Sequence, residues 1–194
     1  MHQRVKPRHT IAAIALAAAL AAPAPPAGAQ NAGPAARAAD VASIDAIMAA
    51  VYDAISGPAG QARNRERFLS LFHPQARLIP TNRVADGGRV ARALTPEEYI
   101  TRSGPVLERD GFFEVEIARC IEQYGSIAHV FSTYESRRTL QDEKPFARGI
   151  NSFQLFHDGT RWWVVTIFWE GESADRPIPS KYLPGGRGGT EPPC

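Results

Sequence analysis

The sequence predicts an α+β domain, and three observations carry that prediction. Apolar residues at helical spacing are confined to the part of the chain before Gly104-Pro105. From Phe112 onward, four runs rich in Val, Ile, Phe, Tyr, Thr and Trp follow one another, the composition of strands. Asp158-Gly159 joins the last two runs as a tight turn, which makes that pair antiparallel.

The first helix begins at Asp40 or Ser43, either of which can cap it, and runs to about Ile55. Ile44, Ile47, Met48, Val51 and Ile55 fall on one of its faces, and Gly57-Pro58 stops it. A shorter second helix covers about 64–73, with Phe68, Leu71 and Phe72 on its apolar side and Pro74 at its end. A short strand over 76–80 follows, then a loop containing Asp86-Gly87-Gly88, which is hairpin chemistry. Thr95-Pro96-Glu97-Glu98 opens a third helix with a capping residue, a proline at the first helical position and acids in the first turn. That helix reaches about Arg102 and breaks at Gly104-Pro105. The strand runs are 112–123, 127–139, 148–157 and 162–170.

A two-residue loop at Asp158-Gly159 sets His157 opposite Thr160. Ile150, Ser152, Gln154, Trp163, Val165, Ile167 and Trp169 then share one side of the sheet, and Asn151, Phe153, Leu155, Trp162, Val164, Thr166 and Phe168 share the other. Both sides are largely apolar, so both need cover. Helices supply one cover, and a second copy of the chain is the simplest cover for the other, so a homodimer is expected.

The 194 residues carry 22 Lys+Arg against 20 Asp+Glu, a formal charge of +2 with a sequence pI near 8.7, which taken whole hints at a polyanionic partner. The placement of the charges removes the hint. Residues 1–9 hold Arg4, Lys6 and Arg8 and no acid; an Ala-rich apolar run, a Pro-rich stretch and Ala27-Gly28-Ala29 follow. That order reads as a secretory signal peptide over 1–29, cleaved after Ala29, because the apolar run is shorter than the ~20 residues of a spanning helix. Taking its three basic residues from the 22 leaves 19 against 20 acids, net −1. The expected mature protein is periplasmic or secreted, binds no nucleic acid and has no membrane association. Residues 30–40 read as a linker and 184–194 (PGGRGGTEPPC) as a disordered tail, which leaves 41–183 as the folded domain.

Cys120 lies on a strand and Cys194 in the tail. An oxidising compartment would permit a bridge between them, but a free, buried Cys120 is the expectation. Neither a metal nor a cofactor is expected: the histidines form no ligand cluster, and Gly185-Gly186 and Gly188-Gly189 lack the helix and Lys-Ser/Thr of a phosphate loop.

The stretch Phe68-Leu69-Ser70-Leu71-Phe72-His73-Pro74-Gln75-Ala76 leads into the first strand, and Gly159-Thr160-Arg161-Trp162-Trp163-Val164-Val165 leads into the last. With the order of elements between them, the chain from 41 to 183 resembles the NTF2-like superfamily, which includes SnoaL-like and ketosteroid-isomerase-like proteins. His129–Arg137 and Arg148–His157 are similar to segments of exported members. The resemblance implies a cone: helices packed on a strongly curved, mostly antiparallel sheet around a pocket, usually in a dimer. Such a fold does not itself supply a function.

In the isomerase branch the resemblance puts a carboxylate base near Pro80, where this chain has Ile79-Pro80-Thr81 and no acid, so ketosteroid isomerisation is disfavoured. The oxyanion-binding tyrosine corresponds to Tyr52, its aspartate partner falls near Ser152 with Asn151 beside it, and Trp169 matches a pocket aromatic. No complete catalytic constellation is present, and the catalytic residues are not assigned. Candidate polar pocket residues are Tyr52, Ser132, Tyr134, Glu135, Arg148, Asn151, Ser152 and Gln154, and candidate apolar ones are Trp163, Val165, Ile167 and Trp169. Glu135 reads equally as an acid–base group or as the partner of Arg137 and Arg138, because the sequence does not fix which residues of 127–139 point inward. His129 and His157 read as partly exposed strand residues rather than pocket acids. The expected function is binding of a small, largely apolar molecule, with a lyase, isomerase or hydrolase acting in the pocket, or a protein-interaction module, as alternatives.

Overall fold

The computed structural model describes residues 34–85 and 87–186. The signal-peptide and most of the tail expectations, with Asp86 and Cys194, lie outside the described residues. Helix α1 (Ala38–Val41) is a single turn inside the expected linker, anchored because Arg67 pairs with Asp40 through Nε at 2.8 Å and Nη2 at 3.0 Å. Helix α2 (Ile44–Ile55) starts at Ser43, whose hydroxyl accepts from the Ala46 N–H, and it buries Ile47, Met48, Val51, Tyr52 and Ile55. Helix α3 (Arg65–Ser70) is capped by Asn64.

Strand β1 (Phe72–Arg83) is longer than the expected 76–80. It begins before Pro74 because its register against its neighbour shifts between Phe72 and Arg77, where a proline takes no donor from the ladder. It turns back through β2 (Arg89–Ala91). Helix α4 (Pro96–Asp110) opens on a capping box between Thr95 and Glu98, as the sequence suggests, but runs through Gly104-Pro105 instead of ending at Arg102. Contacts beyond the proline offset its missing donor: Leu107 is buried, its carbonyl accepts from Arg63 Nη2 at 2.7 Å, and the Glu108 carbonyl accepts from the Gly60 N–H at 2.7 Å.

Strands β3 (Phe113–Tyr124), β4 (Ile127–Arg137), β5 (Ala147–His157) and β6 (Trp162–Gly171) complete a sheet ordered β2-β1-β6-β5-β4-β3, antiparallel throughout except for the β1–β6 pair. The helices pack on its inner face around Phe68, Leu71, Val130, Phe153 and Val164. On the outer face lies residues 172–182, ending in a 3-10 turn (Ser180–Tyr182). There Ile178 is buried, the Thr133 hydroxyl donates to the Tyr182 carbonyl at 2.7 Å, and the Phe131 and Tyr182 rings meet at 5.0 Å. No helix among the described residues is long and apolar enough to cross a membrane.

Two local features change which residues share a face. The turn after β5 has four residues, with His157 opposite Trp162 rather than Thr160. Asp158 Oδ1 holds it by accepting from the Thr160 and Arg161 N–H groups at 2.8 and 2.9 Å. On β6 a bulge leaves Val165 unpaired between Val164, opposite Leu155, and Thr166, opposite Gln154. The inner face therefore carries Asn151, Phe153, Leu155, Trp162, Val164, Ile167 and Trp169, and the outer face Ile150, Ser152, Gln154, Trp163, Thr166 and Phe168, in place of the two sets expected.

Candidate functional site

Polar side chains form a stripe on the inner face between apolar walls. Glu114 on β3 lies opposite Ser136 on β4. One of its carboxyl oxygens accepts from the Ser136 hydroxyl at 3.1 Å and the other from the Asn151 amide at 3.3 Å. The same amide donates to the Tyr52 hydroxyl at 3.1 Å. Tyr52 lies 2.7 Å from the Ser132 hydroxyl, whose own proton goes to Glu116, so Tyr52 donates to Ser132. Arg119 neutralises Glu116 and also reaches Asp45 at 2.7 Å. With two acceptors in front of it, the Asn151 amide nitrogen must face the cavity, which fixes that side chain's orientation.

Burial pushes the Glu114 carboxyl up to about 7, against the pull of the hydrogen bonds from Ser136 and Asn151. The residue as a whole is half-buried, because it also borders a groove between α2 and β3, but its carboxyl is packed round by protein. Near neutral pH the group is present both as acid and as carboxylate, a donor in one form and an acceptor in the other. Burial and the Glu114 charge raise the hydroxyls of Tyr52, Tyr99 and Tyr134, so these stay protonated. Among the described residues the Tyr134 hydroxyl meets no hydrogen-bond partner. It lies over Gly149, its cross-strand neighbour, where any Cβ would collide with it.

Val51, Ile55, Phe68, Leu78, Phe153 and Ile167 wall the inner cavity, with Tyr99 and Trp169 edge to face at 5.9 Å. Its free volume is about 50 Å³, room for a few water molecules or the polar end of a ligand. A larger cavity of about 400 Å³ lies on the outer face under residues 176–182, against Phe131, Ile150, Ser152 and Phe168.

Of the candidate residues, Tyr52, Ser132, Tyr134, Asn151, Ile167 and Trp169 are brought together on the inner face. The others are not. Ser152 faces outward, 2.9 Å from His129 Nε2, so Asn151 takes the place beside Tyr52. Glu135 lies on the outer side of β4 and pairs with Arg137 at 2.6 Å. Arg148 pairs with Glu172 at 2.8 and 3.1 Å, and Gln154 is exposed. Trp163 faces outward, donating to Asp158 at 2.7 Å beneath the Arg161 guanidinium at 3.6 Å, and Val165 is the bulge residue. His157 sits at the turn, and His73 is a third strand histidine, because β1 begins earlier than expected. Among the described residues, no three His, Cys, Asp or Glu side chains converge as a metal site. Cys120 is not free but disulfide-bonded.

Glu114 is the site residue that the sequence reading missed. The available signal was a polar stripe at period two, Ser132, Tyr134 and Ser136, on the strand that follows Glu114 and Glu116.

No family model matches this chain, and no curated protein matches it by sequence. Solved structures do match in fold. A protein of unknown function with a cystatin-like fold from Nostoc punctiforme is 13% identical, with a TM-score of 0.52 over 68% of this chain and 90% of that one. A protein from Xanthomonas campestris, proposed to be a calcium/calmodulin dependent protein kinase II association domain, is 15% identical, with a TM-score of 0.50 over 68% and 86%. An NTF2-like protein of unknown function from Silicibacter pomeroyi is 15% identical, with a TM-score of 0.45 over 68% and 94%. Identities this low show fold alone, and the likeness rests on the first two. The chain has an α+β fold like that of the cystatin-like protein, helices packed on a curled, mostly antiparallel sheet.

Proposed function

We propose that the inner cone binds a small, largely apolar molecule whose polar group meets Glu114 and the Tyr134 hydroxyl, in a protein exported from the cytoplasm. Glu114 carries this reading. A carboxyl pushed up to about 7 by burial, among apolar walls and beside a tyrosine hydroxyl with no partner among the described residues, suits a ligand group that both accepts and donates. Export is supported by the signal-peptide pattern of residues 1–29 and by the disulfide at Cys120, since such bonds persist in oxidising compartments.

Residues 30–194, titrated with cyclohexanone, p-cresol and 2-naphthol, test the binding claim. Saturable shifts are expected in the amide resonances of Glu114, Tyr134, Asn151 and Trp169 with at least one probe. Tyr134→Phe should weaken that binding by roughly three- to tenfold, the worth of one neutral hydrogen bond. Unmoved resonances with all three probes overturn the reading.

A second reading, acid–base chemistry, is favoured by the same carboxyl. As carboxylate, Glu114 can take a proton from a carbon next to a ligand carbonyl while Tyr134 donates to the oxygen that gains charge. Exchange of the α-protons of cyclohexanone in heavy water should then be faster with the protein than with Glu114→Gln, and equal rates dismiss it.

A further inference from the structure

We propose that the outer-face cavity is a second site, in which Ser152 is a nucleophile served by His129 as base and Glu122 behind it, suited to cleaving small, largely apolar esters. The three residues are scattered in sequence and meet because β3, β4 and β5 are consecutive antiparallel strands. Glu122 lies directly opposite His129, and Ser152 lies diagonal to it, opposite Phe131. The Ser152 hydroxyl is 2.9 Å from His129 Nε2, and Glu122 Oε2 is 3.8 Å from His129 Nδ1. A carboxylate on the Nδ1 side favours the tautomer with its proton there, which leaves Nε2 to accept from the serine. Glu122 thus acts through His129, as a positioning residue that also offsets the charge of the imidazolium.

Ser152 lines the cavity of about 400 Å³, a volume within the range of small-molecule sites. Phe131, Ile150, Phe168 and Ile178 make its walls apolar, which selects an apolar acyl or aryl group. Tyr182 lines it too, and its hydroxyl, with no hydrogen-bond partner among the described residues, is a donor for a carbonyl oxygen that gains charge. In the reaction Ser152 Oγ adds to the ester carbonyl carbon while its proton passes to His129 Nε2. The bond from that carbon to the leaving alcohol oxygen then breaks, and the oxygen takes the proton from His129. Water gives a proton to His129 as it adds to the acyl group, the bond to Ser152 Oγ breaks, and the proton returns to the serine as the carboxylic acid departs.

Residues 30–194 incubated with an alkyl fluorophosphonate should gain a phosphonyl group, with fluoride released, and peptide mass spectrometry should place it on Ser152. The same protein should hydrolyse p-nitrophenyl butyrate with saturation kinetics. Ser152→Ala should abolish the label and return hydrolysis to the rate without protein, and His129→Gln should slow both reactions by roughly a hundredfold. Glu122→Gln should lower kcat roughly three- to tenfold with KM unchanged, a split that a merely structural role would not produce. Far-UV circular dichroism checks that each variant is folded. A label found only on other residues, no label at all, or hydrolysis that persists in folded Ser152→Ala overturns the proposal.

Discussion

Glu114 titrates differently in the folded and unfolded chain, and the sign of that difference is testable. Its ordinary value is 4.5, and in the fold it is about 7, chiefly through burial. The fold therefore favours the protonated form, and between these values the native state holds more protons than the unfolded chain. The resulting stabilisation is complete below pH 4.5, declines as the pH rises and is gone above about 7. Its ceiling is about 3 kcal/mol, reduced by whatever water reaches the carboxyl from the α2–β3 groove. Urea unfolding of wild type and Glu114→Gln at pH 5 and pH 8 should show the wild type losing roughly 2 kcal/mol relative to the variant on going to pH 8. A parallel pH response in both proteins would show that the carboxyl is solvated. Tyr52 and Asn151 were legible because the family resemblance points to their positions. Glu114 was not, since that resemblance places its acid near Pro80 and a lone glutamate on a strand looks like any solvated edge residue.

Elements meet closely where β4, β5 and β6 bring Tyr134, Gly149 and Glu170 together. A Cβ at Gly149 would fall on the Tyr134 hydroxyl and 2.5 Å from the Glu170 carbonyl oxygen, whereas at Gly171, the residue paired with Gly149, the nearest atom is 3.8 Å away. Gly149→Ala is expected to cost about 2–3 kcal/mol in urea unfolding, and Gly171→Ala less than about 1 kcal/mol. Equal costs would mean that the strands spread to admit the methyl group. Strand-level reading from sequence succeeded where composition decides, as for β3 to β6, and for α2 and the start of α4, whose caps are local. It failed where a distant contact decides. Arg63 and Gly60 hold α4 together past Pro105, and Asp158 lengthens the turn that sets the β5–β6 register. The bulge at Val165 then returns Ile167 and Trp169 to the inner face, so these two reach the cavity by a route that alternation alone does not show.

At the scale of the whole molecule, the two apolar faces of the sheet have different covers. Helices close the inner face around the polar stripe, and residues 172–182 lie on the outer face, where Phe168 is still 44% exposed. The case for a second subunit rested on an outer face with no cover of its own, and that case now concerns only the part this segment leaves open. A disulfide at Cys120 persists in an oxidising compartment, the compartment to which the signal peptide expected over residues 1–29 would send the protein. If residues 1–29 direct export, the protein recovered from the periplasm or medium of a bacterial host should begin at Gln30, carry a net charge of −1 instead of +2 and have no free thiol. Intact mass before and after reduction reads all three points, because cleavage removes a fixed mass and the disulfide adds two hydrogens when it opens. The same residues 30–194 expressed without the leader in a reducing cytoplasm should carry two thiols. Recovery of exported protein that still begins at Met1 would break the link between leader, compartment and disulfide.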